Sequence, residues 1–420
     1  MFPKQLTNKF SLKKIFKLIK AIPIMRKKFP KRIDIILFCH DNDRSMIKKG
    51  KKYSHLIDGI QDQLIKAKFK CITLAPIGSK YISEAYGNVY PIFVFWDFFN
   101  IRQLYRFFKI GKKSLHFPVN IENFIYKKQP KLIAGVEPIS QLIKFCRQQN
   151  IPIIDVWHGY GISKNHHIYG QNALKEKSQD EVCTDLILLD NLSKNILKKN
   201  CLHANRFISL WSLLSPVLSK KTLTYRKFNY LKKYKKIFLI SLQFGHSPGC
   251  LPEDGNIHKR IINTIIQCKA MNFAFLIKPH PAMLEKELLI KNINDFCISH
   301  TNCFYTPNDD LIDLINLADG HLTSSSGVTR ECALKGVKTL LYSNDRYLFD
   351  GKDSHLEEEI KSGIAHRVNK LSISQIINLA VNLEVVDIKN FPSFFNNIYP
   401  DFISADKLFK KIINKSKKHL

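Results

Sequence analysis

Short apolar runs rich in Ile, Leu and Val recur along the chain, and stretches with helical spacing separate them. Runs of this kind are typical of strands that are buried on both faces of a parallel sheet. The predicted strands lie at residues 32–39, 70–75, 131–134, 152–156, 185–189, 237–242, 273–277, near 304, 320–323 and 339–342. Two successive series of strands alternating with helices predict an α/β chain, with two Rossmann-like, doubly wound domains that face a cleft.

The length of 420 residues is too great for one ordinary hydrophobic core, which also indicates two domains. Residues 226–236 are rich in Lys and Tyr without clear apolar periodicity, and we interpret them as an interdomain connection. The predicted units are a basic amphipathic segment over 1–32, a first domain over 33–225, a second domain over 226–400 and a basic helix over 401–420.

The formal net charge of +31 predicts an anionic partner. Residues 1–32 contain no acidic residue, and apolar residues at helical spacing, such as Leu12 and Phe16, alternate there with lysines. The last segment repeats this pattern around Leu408 and Phe409. A basic amphipathic helix can lie on an anionic membrane surface or pack its apolar side on a domain, and the pattern leaves both alternatives open.

The sequence predicts a cytoplasmic protein, which can be peripheral on the inner face of the cytoplasmic membrane. No run of 18 uncharged apolar residues predicts a membrane-spanning helix, and lysines interrupt every candidate signal-peptide core. The ten cysteines are scattered, without the spacing of a zinc site, so we expect buried, reduced thiols.

The strongest motif is Lys-Pro-His-Pro at residues 278–281, directly after an apolar strand. Lys278 and His280 would emerge at the carboxyl edge of the sheet, where open α/β folds bind ligands. Two prolines restrict the backbone, so a cation and an imidazole are held with little freedom. This pair suits a phosphate, with His280 as a donor or as the acid for a departing phosphate. A rigid loop with an incidental histidine is the alternative.

A second motif follows the strand at 320–323, where three serines and a glycine precede a helix predicted to begin near Val328. Hydroxyls and free backbone amides at a helix N-terminus form an anion site. A carboxylate one turn into the helix can accept hydrogen bonds from ribose hydroxyls. A serine-capped helix with a capping box is the alternative. The candidate donor-binding residues here are Ser324, Ser325, Ser326, Thr329 and Glu331.

Two further motifs follow predicted strands. His158 lies between a strand and the glycines at 159 and 161, and a neutral imidazole there could accept a proton from an attacking hydroxyl. A buried histidine in a turn is the alternative. Gln243 and His246 follow the first strand of the second domain, where we expect polar contact with the donor.

Three of these motifs resemble those of bacterial surface-polysaccharide transferases of the GT-B type. The segment 278–281 and the serines at 324–326 resemble the HP and SS motifs of polysialyltransferases and related capsule enzymes. Trp157, His158 and Gly159 resemble the Trp-His-Gly motif of CDP-glycerol glycerophosphotransferases. The resemblance implies that Lys278, His280 and the serines bind the donor phosphate, and that His158 is the catalytic base.

Segment 325–331 also resembles the Ser-Gly-Gly…Glu segment of UDP-GlcNAc epimerases and UDP-dependent transferases, which leaves the donor nucleotide open. We expect an inverting, metal-independent glycosyltransferase without a cofactor, because no Asp-x-Asp pair lies in a suitable loop. It would move a sugar or sugar-like unit from a nucleotide-activated donor, CMP- or CDP-linked, to a capsule or lipopolysaccharide acceptor. The domain over 33–225 would bind the glycan or glycolipid acceptor, and the domain over 226–400 the donor.

Two other functions compete with this interpretation. A UDP-sugar 2-epimerase shares the fold and needs no acceptor. A nucleic-acid-binding protein would explain the charge, but no helix-turn-helix, zinc-finger or aromatic-basic surface motif supports it, so we expect no nucleic-acid partner.

Overall fold

The computed structural model describes most of both predicted domains and the last helix. The described residues are 27–39, 44, 46–54, 56–76, 83–92, 121–136, 138, 140–156, 178–188, 191–200, 206–209, 225–242, 257, 259–280, 283–284, 287–342, 356–391, 394 and 405–416.

The first half of the chain forms a parallel sheet of seven described strands in the order β5-β4-β1-β6-β7-β8-β9. These strands are β1 (Ile35–Phe38), β4 (Cys71–Pro76), β5 (Val89–Ile92), β6 (Leu132–Gly135), β7 (Ile153–Val156), β8 (Asp185–Leu188) and β9 (Arg206–Ser209). A small antiparallel hairpin, β2 (Met46–Lys48) and β3 (Lys51–Tyr53), follows β1.

The second half forms a parallel sheet of six described strands in the order β12-β11-β10-β13-β14-β15. They are β10 (Lys236–Ser241), β11 (Phe273–Lys278), β12 (Cys303–Tyr305), β13 (Gly320–Thr323), β14 (Thr339–Leu341) and β15 (Ala365–Arg367). In both sheets the chain winds outward in one direction and then crosses to the other side of the first strand. This is the doubly wound topology.

Helices connect most of these strands. In the first half they are α1 (Ile57–Lys66), α2 (Ile121–Lys128), α3 (Ser140–Gln148) and α4 (Asn191–Asn200). In the second half they are α5 (Lys259–Gln267), α6 (Glu287–Ser299), α7 (Leu311–Leu317), α8 (Val328–Leu334), α9 (Glu357–Lys361), α10 (Ile373–Asn382) and the C-terminal α11 (Ala405–Ser416). Within the described ranges, none of these helices combines the length and the apolar character that crossing a bilayer requires.

The strands of both sheets are buried on two faces because alternate residues enter different cores. In β1, Ile35 and Leu37 pack against α1, whereas Ile36 and Phe38 pack against α2 and α3. In the second sheet, β11 directs Phe275 to a core with α5, α6 and α10. Its neighbours Ala274 and Leu276 face α7 and α8. Each sheet therefore has helices on both faces, as the strand–helix alternation predicted.

The C-terminal helix α11 packs on the first sheet, although it follows the second sheet in sequence. Its four buried residues, Leu408, Phe409, Ile412 and Ile413, join the core formed by β1, β6, β7, β8 and α1. Its lysines at 407, 410 and 411 are exposed on the opposite side. Of the two alternatives for this amphipathic segment, the structure uses the apolar side for packing within the protein.

The second domain also contributes to this first core. Leu334, at the end of α8, is buried in it, and Ile312 of α7 packs against it. These contacts join the two halves of the molecule.

The ten predicted strands are all present, with ends shifted by at most a few residues. Five strands were not predicted: β2, β3, β5, β9 and β15. All five are short, and the hairpin strand β3 is Lys-Lys-Tyr, so no apolar run marks it. Residues 225–233, interpreted as a connection, form a 3-10 helical segment whose Phe228 and Leu231 are buried against the second sheet. The predicted segment 1–32 lies outside the described residues as far as residue 26.

Candidate functional site

The order of strands in the second sheet reverses between β10 and β13, and open α/β folds bind ligands beyond the carboxyl ends of the strands at such a point. Ser241 ends β10, and it is paired in register with Lys278 of β11 on one side and Thr323 of β13 on the other. One of the two strongest motifs begins in this row, at Lys278, and the other begins directly beyond it, at Ser324. This position makes the carboxyl edge of the second sheet the candidate site.

The serine loop starts at the end of β13. Ser324, Ser325 and Ser326 are 4 %, 1 % and 7 % exposed, so they lie beneath the surface in this structure. The backbone N–H of Ser326 donates to Thr323 Oγ1 at 3.4 Å, and the hydroxyl of Ser326 accepts from the N–H of Val328 at 3.3 Å. The predicted start of the helix at Val328 is confirmed. The N-cap residue of α8 is Gly327, without a side-chain cap, so the alternative of a serine-capped helix with a capping box is wrong.

Lys278 makes contacts that its sequence motif did not reveal. Its Nζ donates to the carbonyl oxygens of Pro307 at 2.8 Å and Asp309 at 2.7 Å, which lie in the loop between β12 and α7. Burial lowers the pKa of Lys278 to about 8, while the charges of Asp309 and Asp310 act to raise it and that of Lys227 to lower it. Lys227 in turn forms an ion pair with the carboxylate of Asp309. The lysine therefore anchors a loop at the edge of the site, and its contact with a phosphate stays a prediction.

His280 is exposed, two residues beyond the end of β11. Its carbonyl oxygen accepts from the N–H of Met283 at 2.9 Å, which closes a short turn after the motif. Because β11 and β13 flank β10, His280 and the serine loop follow strands that lie about 10 Å apart at the same edge of the sheet. Both motifs thus follow strands that end at the same edge of the second sheet, and their convergence on one ligand stays a prediction.

Thr329 and Glu331 occupy the first turn of α8. Glu331 is half-buried, whereas Thr329 is fully buried, and its hydroxyl has no hydrogen-bond partner within the described part of the chain. The side chain of Thr329 therefore lies beneath the surface of the protein in this structure. The neighbouring Arg330 forms a fully buried ion pair with Glu359 of α9, which fixes α8 against the rest of the domain. Contact of Thr329 or Glu331 with a donor stays a prediction.

His158, Gln243 and His246 lie outside the described residues. The strands that lead to them are described. β7 ends at Val156, two residues before His158, at the carboxyl edge of the first sheet and one strand away from its own reversal between β1 and β6. β10 ends at Ser241, two residues before Gln243. The predicted roles of these three residues stay predictions.

Sequence reasoning missed a buried polar cluster beneath the site. The Nε2 of His321 lies 2.7 Å from Ser241 Oγ, and its Nδ1 lies 3.0 Å from Thr339 Oγ1. Burial lowers the pKa of His321 to about 3, so the imidazole is neutral at physiological pH. A histidine inside a predicted buried strand was the available signal, but its partners come from two other strands and depend on the pairing register.

The described residues contain no group of three or more His, Cys, Asp or Glu side chains that could hold a metal ion. The eight described cysteines are all free thiols, and seven of them are buried, as the sequence predicted for this part of the chain.

Comparisons with known proteins bear on the fold. No protein-family model matches the sequence, and no curated protein matches it either. Among solved structures, the wall teichoic acid polymerase TagF with CDPG is similar over 97 % of this chain and 98 % of that chain, at a TM-score of 0.58 and 13 % identity. MnaA of S. aureus with UDP is similar over 91 % of this chain and 96 % of that chain, at a TM-score of 0.53 and 11 % identity.

A third similar structure is the UDP-GlcNAc 2-epimerase from Neisseria meningitidis bound to UDP-GlcNAc. It has a TM-score of 0.51 and 14 % identity, with 91 % of this chain and 99 % of that chain covered. The chain has a GT-B-like fold. This conclusion agrees with the two doubly wound parallel sheets.

Proposed function

We propose that this GT-B-like protein is a metal-independent transferase of the bacterial surface-polysaccharide type. It would move a sugar or sugar-like unit from a nucleotide-activated donor, CMP- or CDP-linked, to a capsule or lipopolysaccharide acceptor. The observation that carries the proposal is the position of His280 and the serine loop at the strand-order reversal of the second sheet. Phosphates and nucleotides bind at this place in open α/β folds.

The roles that we propose follow from the chemistry of the side chains. His280, which is exposed, and Lys278 would interact with the donor phosphate, and the amides and hydroxyls of residues 324–326 would do so from β13. Thr329, Glu331, Gln243 and His246 would complete the donor site. His158, after β7 of the first sheet, would take the proton of the attacking acceptor hydroxyl. His280 would protonate the departing phosphate.

A cytoplasmic location at the inner face of the membrane fits a lipid-linked or growing glycan acceptor, and we include it in the proposal. The exposed lysines of α11 and the basic residues before the first strand supply the positive charge that an anionic lipid surface attracts. No nucleic-acid partner is proposed.

The donor class can be tested by thermal unfolding with CMP, CDP, UDP or GDP present, each in large excess. A ligand that binds only the folded state stabilises it, by about 2.7 kcal/mol at a concentration 100 times its Kd. We expect a cytidine nucleotide to raise Tm most, and His280→Ala to reduce this increase. Lys269→Ala is the matched control, because Lys269 is exposed near the opposite end of β11. The donor-site proposal is wrong if no nucleotide raises Tm, or if both variants respond like the wild type.

Turnover tests the transferase step. We expect His158→Ala to reduce the transfer rate by about 100- to 10,000-fold, the usual contribution of a general base, and to leave nucleotide affinity largely unchanged. Activity should persist with excess chelator. Near-full activity of His158→Ala would show that His158 is not the catalytic base. Complete loss of activity with chelator would contradict metal independence.

A UDP-sugar 2-epimerase is the second candidate, favoured by the similarity of the whole chain to the fold of such epimerases. Incubation with a UDP-sugar and no acceptor distinguishes the two. An isomerised sugar nucleotide would favour the epimerase, whereas an unchanged UDP-sugar that is consumed only with an acceptor would favour the transferase.

A further inference from the structure

A continuous set of buried hydrogen bonds crosses three strands directly below the serine loop. It starts at Thr339 on β14, passes through the imidazole of His321 on β13, and reaches the hydroxyl of Ser241 on β10, at distances of 3.0 Å and 2.7 Å. All three residues are buried. A neutral imidazole has one donor and one acceptor nitrogen, and here each nitrogen has one hydroxyl partner.

The same set continues from the strand ends into the loop. Thr323 Oγ1 donates to the backbone oxygen of Ser241 at 2.8 Å, and it accepts from the N–H of Ser326 at 3.4 Å. These bonds tie the ends of β10 and β13 together at the point where the strand order reverses. A change at Thr339 can therefore reach the serine loop through these hydrogen bonds and the intervening residue Ser241, without a direct contact.

We propose that His321 is a positioning residue for the donor site: it orients the Ser241 hydroxyl and, through Thr323, holds the serine loop in the shape that receives a nucleotide phosphate. This inference rests on the proposed function of the loop. His321 is fully buried and cannot itself touch a ligand, so its role differs from that of the motif residues, which would contact the donor.

The chemistry of the network explains why a neutral imidazole suits this place. It links hydroxyls on two flanking strands, and it brings no charge into a buried region where an ion without a partner would be costly. Hydrogen bonds in such a low-dielectric region are strong, and removal of one member leaves its partners unsatisfied. A displaced Ser241 or Thr323 would change the path of the loop backbone by fractions of an ångström, which matters for binding a phosphate through several short hydrogen bonds.

Substitutions at Thr339 test the inference, because this residue lies at the far end of the network. Thr339→Val removes the hydroxyl with little change of shape, and Thr339→Ser keeps the hydroxyl. Thr264→Val is the matched control. Thr264 Oγ1 pairs with Tyr342 Oη at 3.2 Å in a buried site, and Tyr342 belongs to the core on the other face of the same sheet.

The measurements are the Kd for CDP, by calorimetry, and the free energy of unfolding in urea. We expect Thr339→Val to weaken CDP binding about tenfold, Thr339→Ser to bind nearly as the wild type does, and Thr264→Val to lose stability without losing affinity. Hydrogen exchange of the amides at 324–329 should become faster only in Thr339→Val. UDP replaces CDP as the probe if it is the nucleotide that stabilises the wild type.

The outcomes separate this inference from the proposed function. A wild-type protein that binds neither nucleotide overturns the proposed function, and the positioning role falls with it. A wild-type protein that binds CDP, with a Thr339→Val variant that binds it as tightly as Thr264→Val does, overturns the inference alone. Weakened binding in Thr339→Ser equal to that in Thr339→Val would also overturn it, because the hydroxyl would then not be the cause.

Discussion

At the scale of single residues, Lys278 is a motif side chain whose hydrogen bonds in the structure hold a loop of the fold. Its ammonium group donates to two backbone carbonyl oxygens, those of Pro307 and Asp309, in the loop between β12 and α7. Burial of this group lowers its pKa to about 8 from an ordinary value of 10.5. The two values differ enough to make the contribution of Lys278 to stability depend on pH.

Between pH 8 and pH 10.5, the unfolded chain binds more protons at Lys278 than the folded chain does. Stability rises with pH wherever the unfolded state binds more protons. The free energy of unfolding of the wild type, relative to that of Lys278→Met, should therefore increase as pH rises through this window. Urea unfolding at several pH values measures this difference. Lys269→Met, at an exposed position near the other end of β11, is the matched control, and a difference for Lys278→Met that does not change with pH would contradict the prediction.

Two glycines with left-handed backbones permit a matched test. Gly336 has φ of +74°, and a Cβ there would lie 1.8 Å from the carbonyl oxygen of Val386. Gly363 has φ of +75°, with nothing within 4 Å of a built Cβ. We expect Gly363→Ala to cost about 1–2 kcal/mol of the free energy of unfolding, because an L-residue is strained at positive φ.

Gly336→Ala should lower the free energy of unfolding by that amount and by a further ~1–3 kcal/mol, because the methyl group must displace the backbone at Val386. Chemical unfolding of both variants measures the difference. Equal losses would mean that the backbone around Val386 adjusts without cost.

At the scale of elements, sequence order does not predict the position of the C-terminal helix α11. This helix follows the second sheet in sequence but packs on the first sheet. Its apolar side belongs to the same core as α1 and strands β1, β6, β7 and β8 of the first sheet. The 3.6-residue periodicity predicted the helix and its apolar side. It could not indicate which surface the apolar side covers, because a membrane and a protein core select the same pattern.

Phe409→Ala should therefore destabilise the first domain by about 3–5 kcal/mol, the usual cost of truncating a buried phenylalanine. Lys411→Ala, on the exposed side of α11, should change stability by less than about 0.5 kcal/mol. Thermal and urea unfolding measure both effects. A small loss for Phe409→Ala would mean that α11 does not form part of this core in solution.

The strands also fall into two groups: those that a local sequence pattern predicts, and those that depend on packing between distant segments. Buried central strands such as β1 and β11 carry continuous apolar runs, so they were predicted. Edge strands β5 and β9, and the peripheral β15, are short and include polar residues or proline, so they were not. An edge strand is identified by the neighbouring strand to which it is hydrogen-bonded. The local sequence does not show which strand that neighbour is.

At the scale of the whole molecule, the net charge of +31 is the property that most affects partners. In α11 the apolar side is buried, and the lysines at 407, 410 and 411 are exposed to an outside surface. Attraction of this helix to a membrane would therefore be electrostatic rather than hydrophobic. Each lysine near an anionic lipid surface contributes about 1 kcal/mol, and salt screens this attraction.

We expect the protein to sediment with phosphatidylglycerol-containing vesicles at low salt, and neither with neutral vesicles nor at high salt. Replacement of Lys407, Lys410 and Lys411 by Gln should weaken this binding at least about tenfold. Replacement of Lys232, Lys233 and Lys235, which are exposed on the second domain, is the matched control. Equal effects of the two triple variants would indicate a general response to net charge rather than a specific basic surface.

The sequence by itself determined the two series of strands, the helices between them and the polar motifs that follow strand ends. It could do so because periodicity and chain order are local, and because the carboxyl ends of parallel strands share one edge of a sheet. Only the tertiary structure decided that β10 lies between β11 and β13, that His321 connects Ser241 and Thr339, and that α11 belongs to the first core. These neighbours are set by packing between segments up to several hundred residues apart, for which the local sequence carries no signal.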